Sequence, residues 1–366
     1  MKVLLLGEYS NVHATLARGL RELGHEVVVA SDGDGWKNYP RDIDLSRRSK
    51  WLGGLQLAAR LMVAMRRLRG FDVVQLINPL FAELKAERMY SLYRYLRQHN
   101  GRIFLGAYGM DYYWMKSGAD ARLFRYSDFQ VRGVPRDYPG LAAEQADWLD
   151  GDKGQLNRYV AADVDGIIAG LYEYYVSYRD SFPQKLTFIP FPIVCTSPTR
   201  REVAPQGKIR FFIGIQPTRD QYKGTDVMWR ALQRVANDRA AECKVTRAEA
   251  VPFAQYEHMM NGADVLLDQL YGYAPGMNAL QAMEKGVVVV GGGEPEAYQL
   301  LGESELFPIV NVEPTQQSVE RALHGLLDSR SRLARLSADS QTYVRRHHDY
   351  LRVAKQYLDF WQHGPR

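Results

Sequence analysis

KVLLLGEYSNVHATLARGLRELGHEVVVAS, residues 2–31, holds an apolar run, a stretch with apolar residues at helical spacing, and a second apolar run. The periodic stretch stops at Gly24, so the order reads strand, helix, strand, and a crossover of that length joins parallel strands. The alternation continues through FDVVQLIN (71–78), the helix-like FAELKAERMYSLYRYLRQHNG (81–101), RIFLGAYG (102–109), VDGIIAGL (164–171) and LTFIPFPI (186–193). The first half is therefore expected to be a doubly wound α/β domain.

TSPTRREVAPQGK (196–208) is polar, has two prolines and lacks apolar periodicity, which marks a linker. The rhythm then restarts with KIRFFIGI (208–215), GTDVMWRALQRVAND (224–238), ECKVTRAEA (242–250), FAQYEHMMNG (253–262), ADVLLDQL (263–270), GMNALQAMEKG (276–286) and VVVVGGG (287–293). The expected organisation is a first Rossmann-like domain over 1–195, a second over 196–345, and a terminal helix, 346–366, crossing back onto the first. Ligands of such sheets sit beyond the carboxyl ends of the strands, so the chemistry is sought in the loops that face a cleft between two lobes.

With 366 residues, 46% of them hydrophobic, the chain can fill two cores. Its two cysteines, Cys195 and Cys243, stand far apart and outside any CxxC pattern, which argues against a disulfide framework or a structural zinc site. The opening apolar run is too short for a signal peptide and no stretch approaches a membrane span, so a cytoplasmic protein is expected. The net charge of +5 is modest and calls for no nucleic-acid partner, but it is unevenly placed. Between Ser46 and Phe71 lie Arg47, Arg48, Lys50, Arg60, Arg66, Arg67 and Arg69 and no acid, with Trp51, Leu55, Ala58, Met62 and Met65 at helical spacing. Such a helix suits the anionic inner face of a membrane, or it is a core-facing helix whose solvated side is basic; both readings stand.

Two constellations carry chemistry. In GIQPTRDQYKGTD (214–226), Arg219 and Lys223 follow a strand and precede a helix, and two cations at a helix start suit a diphosphate. In YGYAPGMNALQAMEKG (271–286), Gly276 precedes an apolar-periodic helix whose first amides, at Gly276, Met277 and Asn278, are available to a phosphate. An ordinary loop with Asn278 at a capping position would look similar. After the first strand, Ser10, Asn11 and His13 either contact an acceptor or cap the following helix. The aromatic and charged run from Asp111 to Val160 is long for a connection and suits either carbohydrate contact or loop packing.

Other motifs weigh less. DGD (32–34), DID (42–44) and DVD (163–165) match a metal-holding DxD, but three matches at turns and strand starts are what local hydrogen bonding by Asp produces. No GxGxxG follows the first strand, and His347 with His348 reads as a solvated helix face rather than a ligand pair.

Taken together, TRDQYKGTD followed by GMNALQAMEKGVVVVGGGEPE, with the GEYSNVHATLARGLRELGHEVVVAS opening and YGMD at 108–111, resembles the retaining glycosyltransferases of family 4. The likeness extends over essentially the whole chain. It implies the GT-B fold, two Rossmann-like domains facing a cleft, and transfer of a sugar from a UDP- or GDP-sugar to a hydroxyl of a glycan or lipid-linked glycan. Retention and independence of metals and cofactors are also implied, in a setting such as bacterial surface polysaccharide assembly. By the same resemblance Arg219 and Lys223 hold the donor diphosphate, and Gly276 and Met277 present amides to the phosphates or the transferred sugar. Gln281 stands at the second glutamate of the family's E-x7-E pattern, which binds ribose, and Tyr273 at the first, which contacts the donor sugar. Asp111 lies near that sugar, and Glu296 follows the glycine-rich turn. Gln281 keeps hydrogen-bonding capacity without charge, whereas the Tyr273 phenol is bulkier and not anionic near neutral pH. Two alternatives stand beside it: a non-catalytic nucleotide or sugar binder, which these changes favour, and a nucleotide-sugar epimerase, for which Asp111 and Glu296 are the candidate acid and base.

Overall fold

The computed structural model describes residues 1–47, 53–196 and 207–365. Arg48, Lys50 and Trp51 of the basic stretch, and residues 197–206 of the expected linker, lie outside the described residues. In chain order the elements are β1 (Lys2–Leu6), α1 (Val12–Glu22), β2 (Glu26–Ser31), β3 (Ile43–Asp44), α2 (Gly53–Ala64), β4 (Val73–Leu76), α3 (Ala86–His99), β5 (Arg102–Ala107) and α4 (Tyr112–Gly118). A short hairpin, β6 (Gln130–Val131) and β7 (Val134–Pro135), precedes α5 (Leu141–Gln145), α6 (Asp152–Asp163), β8 (Gly166–Ala169), α7 (Tyr172–Arg179) and β9 (Leu186–Phe188). Then follow β10 (Ile209–Ile215), α8 (Asp220–Lys223), α9 (Thr225–Asp238), β11 (Cys243–Glu249), α10 (Phe253–Asn261), β12 (Val265–Leu267), α11 (Met277–Glu284), β13 (Val288–Gly291), α12 (Pro295–Leu301) and β14 (Val310–Asn311). Helices α13 (Gln316–Asp328), α14 (Arg330–His348) and α15 (Tyr350–His363) end the chain.

The chain divides into two units. One comprises Met1–Ser117, Pro139–Pro192 and Tyr350–Arg366; the other comprises Gly118–Tyr138 and Ile193–Asp349.

In the first unit a parallel sheet runs in the order β3-β2-β1-β4-β5-β8-β9. Leu4, Leu5, Val74, Ile103 and Ile167 on its strands are wholly buried, as strands covered on both faces by crossover helices must be. Helix α15 closes this unit against α1. A side chain at Gly19 would begin 2.7 Å from the Tyr350 carbonyl oxygen, so glycine sets the approach. The Tyr350 hydroxyl donates to Glu22 at 2.7 Å, and the Trp361 indole N–H donates to the buried Gln75 at 3.2 Å. The expected continuous terminal helix is in fact two helices, because Asp349 leaves helical geometry with φ −54° and ψ 125°.

Helix α2 turns a different face inward from the stripe that includes Ala58 and Met62. Leu57 and Leu61, with Leu68 just beyond, are buried, whereas Met62 and Val63 are 72% and 78% exposed beside exposed Arg66, Arg67 and Arg69. Arg60 bonds to Asp44 and Ser46.

The second unit has a parallel sheet in the order β11-β10-β12-β13-β14. His347, expected on a solvated face, lies 2.7 Å from the buried Glu303, and His348 is itself buried. Tyr343 packs against both imidazoles, so this end of α14 is an interior face.

Residues 118–138, expected in the first domain, belong to this second unit. Phe124, Tyr126, Phe129 and Tyr138 are buried, and the Arg136 guanidinium lies 3.4 Å from the centre of the Tyr271 ring. Tyr222 donates to Asp128 at 3.0 Å. The aromatic run is thus a strap packed on the loops of the second sheet.

The glycines at 291–293 exist for close approach. At Gly292 a side chain would begin 2.0 Å from the Gly272 carbonyl oxygen, a backbone atom that cannot swing aside. Gly292→Ala is expected to lower stability by about 1–3 kcal/mol, as overpacking does, and chemical denaturation measures it.

Candidate functional site

In an open α/β sheet the crevice lies where neighbouring strands send their connections to opposite sides. In the second unit that point falls between β10 and β12, which are hydrogen-bonded neighbours in parallel register.

The loop after β10 leads through Arg219 into α8, the single turn that ends at Lys223. Gly224 closes it with φ +71°, and a side chain there would begin 2.6 Å from Leu270 Cβ and 2.7 Å from the Tyr271 ring. That closeness lets the Leu270 N–H donate to the Lys223 carbonyl at 3.0 Å, which joins the two switch-point loops. Arg219 is exposed, with its guanidinium 4.5 Å from the Tyr222 ring centre; Lys223 is half-buried.

The loop after β12 carries Asp268 and Gln269 and ends at Gly276, the extended N-cap residue of α11. Glycine has no side chain to cap the turn, so its first amides depend on another acceptor. Asn278, expected at a cap or through its backbone, uses its side chain otherwise: Nδ2 donates to Asp268 Oδ1 at 2.8 Å, and Oδ1 accepts from the Tyr256 hydroxyl at 3.0 Å. Met277 is buried, and Gln281, one turn on, is partly exposed.

Tyr273 is 2% exposed, with its ring packed against Phe124 and Tyr126. Its phenol oxygen accepts from the Arg125 backbone N–H at 2.7 Å, and burial pushes its pKa up. The Arg125 guanidinium donates to Glu294 at 2.7 Å and pairs with Glu296, and Tyr126 donates to Glu294. Glu296 is held below its ordinary pKa by the bond from Arg125. The second unit thus brings Lys223, Gly276, Met277 and Asn278 onto adjoining loops, while Tyr273 and Glu296 anchor the strap.

The other expected residues belong to the first unit. Asp111 is fully buried at the start of α4, where Oδ1 accepts from the Trp114 N–H and Oδ2 from the Tyr178 hydroxyl, both at 2.8 Å. Burial raises its pKa to about 6 against those two bonds. Ser10 and Asn11 have φ 52° and 73°, left-handed values that side chains seldom take. Neither supplies a side-chain cap to α1. That part is played by Glu8, whose carboxylate accepts from the His13 N–H at 3.3 Å and the Ala14 N–H at 2.8 Å. His13 is wholly buried, its Nδ1 lies 2.8 Å from the Gly7 carbonyl oxygen, and burial lowers its pKa to about 4. The ring is therefore neutral, with the proton on Nδ1 assigned from that acceptor.

Asp268 and Glu8 were not singled out in the sequence. Each stands directly beyond an apolar run, VLLD and LLLGE, and that placement was the available signal. Of the DxD acids, Asp34 pairs with Lys37, Asp42 with Arg21, Asp44 with Arg41, and Asp163 and Asp165 with Arg97, while Asp32 accepts from the Asp34 N–H. Among the described residues no group of three or more His, Cys, Asp or Glu converges as a metal site would, and no helix is long and apolar enough to cross a membrane.

No protein-family model matches the sequence, and no curated protein does. Solved structures match in fold. HepE from Anabaena in complex with UDP and glucose superposes with a TM-score of 0.62 at 12% identity, over 99% of each chain. A sucrose-phosphate synthase from Thermosynechococcus elongatus gives 0.59 at 13% identity, over 99% of this chain and 98% of that one. MnaA from S. aureus with UDP gives 0.56 at 10% identity, over 98% and 96%. The chain has the GT-B fold class, with two Rossmann-like parallel α/β units.

Burial raises the Glu8 pKa from its ordinary 4.5 to about 7, chiefly by desolvation and against the bonds from Ala14 and His13. A raised acid favours the folded state below its unfolded pKa, and that contribution is lost as pH rises through the folded value. His13 has the opposite sign, its contribution being lost as pH falls from 6.5 towards 4. Glu8→Gln should therefore gain stability relative to the parent chain, by about 3 kcal/mol between pH 4.5 and pH 8, in denaturation series at stepped pH.

Proposed function

We propose that the chain transfers a sugar from a nucleotide diphosphate sugar, a UDP- or GDP-sugar, to an acceptor hydroxyl on a glycan or lipid-linked glycan. The observation that carries this reading is the pairing of two anion-seeking features at one switch point. The Lys223 carbonyl takes the Leu270 N–H, and the glycine-started helix α11 opens from the far end of the loop that carries Leu270. A leaving diphosphate needs charge stabilisation as the bond from the sugar C1 to the phosphate oxygen breaks, and a cation with oriented amides supplies it. The fold neighbours with UDP and with UDP-glucose support the donor class.

In this proposal Arg219, Lys223 and the amides of Gly276, Met277 and Asn278 hold the diphosphate, and Gln281 meets the ribose. The acceptor oxygen attacks C1 on the face the diphosphate leaves, so configuration is retained, and the departing phosphate oxygen takes the acceptor proton. No metal enters. Ser10 and Asn11 are assigned to the acceptor; His13 and Asp111, both wholly buried, serve from behind by fixing the loops after β1 and β5. The exposed Met62 and Val63, beside Arg66, Arg67 and Arg69, suit an anionic membrane surface carrying a lipid-linked acceptor.

Thermal-shift screening with UDP-, GDP- and ADP-sugars, followed by product analysis, tests the donor class. A flat response to all of them overturns the reading, and conversion of the nucleotide sugar without transfer supports an epimerase instead. Lys223→Ala and Arg219→Ala are each expected to lower turnover on the order of a hundredfold, with EDTA without effect; full activity in both variants removes the core of the proposal. Sedimentation with phosphatidylglycerol vesicles should be strong at low salt, weak with phosphatidylcholine, and lost when Arg66, Arg67 and Arg69 are changed to Glu.

A further inference from the structure

The loop after β2 is built on left-handed backbone. Gly33, Asp34, Gly35 and Asn38 have φ values of 81°, 59°, 63° and 52°, a region that glycine, Asp and Asn enter more readily than other residues. The Tyr39 N–H returns to the Gly33 carbonyl at 2.9 Å and closes the turn. The Ser10 N–H donates to Asp34 at 2.8 Å, and the Lys37 ammonium donates to Asp34 at 2.6 Å and to the Ser10 hydroxyl at 3.2 Å. The turn is thereby fastened to the loop after β1. Arg41 is fixed at three points: Nε donates to Asp44 at 3.0 Å, and Nη1 donates to Asn38 Oδ1 at 2.9 Å and to the Tyr39 carbonyl at 3.0 Å. A side chain at Gly33 would collide with that guanidinium. Beside Gly35 lies a cavity of about 330 Å³, lined by Asp32, Asn38, Arg41, Ser46, Arg47 and Glu83, all of the first unit. These residues come from the loops that follow β2, β3 and β4, the strand ends at which ligands of such sheets sit. The volume is that of a small-molecule site, about 300–1,000 Å³. Trp36, next to Gly35 on the turn, is 60% exposed.

We propose that this cavity binds one neutral sugar ring, as a subsite for the acceptor. The proposal rests on the reading that the acceptor is a glycan. Among the described residues the lining sets two acids, Asp32 and Glu83, against two arginines, Arg41 and Arg47. A phosphate or carboxylate would meet the acids, an amine would meet the arginines, and an apolar ligand would desolvate all four without pairing them. A sugar hydroxyl is donor and acceptor at once, so adjacent hydroxyls on one ring serve carboxylates and a guanidinium together. The protein has bonding capacity left for them. Asp32 Oδ1 accepts from the Asp34 N–H and Glu83 Oε2 from the Arg47 N–H, both at 3.1 Å, which leaves Oδ2 and Oε1 to accept from a ligand. Arg41 spends Nε and Nη1 on the turn and keeps Nη2 to donate. The Trp36 indole adds an aromatic face next to the turn, which suits the C–H side of a pyranose. A recess that holds only water needs neither an arginine fixed at three points nor a glycine to admit it. Through Asp34 and Lys37 the turn is bonded to Ser10, which the acceptor reading already uses.

The test is saturation-transfer NMR and calorimetry on the full chain. The neutral probes are the methyl glycosides of glucose, galactose, mannose and N-acetylglucosamine, with maltose, cellobiose, lactose and chitobiose; glucuronate and glucosamine are the charged ones. At least one neutral probe is expected to bind, more tightly than either charged probe. Arg41→Ala and Glu83→Ala are each expected to weaken it about tenfold, as loss of a charged hydrogen-bonding partner does. Thermal midpoints check the fold, and if Arg41→Ala does not fold, Glu83→Ala decides. Binding of no neutral probe, tighter binding of a charged one, or affinity unchanged in the folded variants overturns the proposal. Sugar binding that the folded variants weaken, without transfer from any nucleotide sugar, upholds the sugar site and overturns the transferase reading alone. Transfer with the acceptor KM unchanged in the folded variants overturns this proposal and leaves the transferase reading standing.

Discussion

The second unit's candidate site depends on the absence of a side chain at position 224. With φ +71°, and with Leu270 and Tyr271 closer than a Cβ would tolerate, the chain turns from α8 into α9 flush against the loop that follows β12. The bond from the Leu270 N–H to the Lys223 carbonyl exists because of that contact. Two loops from different strands thereby become one surface. Any larger residue at 224 would push the turn that ends at Lys223 away from the loop leading to α11.

A second constraint is the strap. Glu294 is 7% exposed, and a carboxylate so deeply placed requires partners; Arg125 and Tyr126 provide them. Both come from residues 118–138, far from Glu294 in sequence. Tyr273 serves the same junction, since its ring packs between Phe124 and Tyr126 and its oxygen takes the Arg125 amide. Tyr273 is thus a packing and hydrogen-bonding anchor. A carboxylate at 273 could accept the same amide, but it would lose both ring contacts and add a third negative charge beside Glu294 and Glu296.

The parallel sheets were legible in the sequence because strands covered on both faces are apolar throughout, and runs such as KVLLL and VVVV admit few other readings. Lys223 and Gly276 were legible because each stands directly at a strand-to-helix turn. What escaped were features set by distant contacts. Nothing local in YSDFQVRG says that it leaves the domain of its neighbours to pack on Tyr273 and Glu294, and the sequence left open whether Met62 faced a core or a membrane surface until Leu57, Leu61 and Leu68 were seen to take the inner face. His347 looked solvated because its partner, Glu303, lies on another element. Asp268 was hidden because helical and strand periodicity ignore the single polar residue that ends an apolar run.

The buried acids explain why α11, rather than α1 or α4, is the anion site in the proposal. Helix N-termini attract negative charge through free amides and the aligned peptide dipoles. At α1 those amides are already bonded to the Glu8 carboxylate, and at α4 the Asp111 carboxylate accepts from the Trp114 amide. An external phosphate at either place would have to displace a buried carboxylate of the chain itself. Burial raises both acids, to about 7 and about 6, so the amides recover only part of what desolvation costs. At α11 the N-cap is glycine, and the nearby acid, Asp268, is bonded to the side chain of Asn278 rather than to the backbone of the first turn. The same sequence element, an acid after a strand, closes two helix starts to anions; at the third it is turned aside by one asparagine.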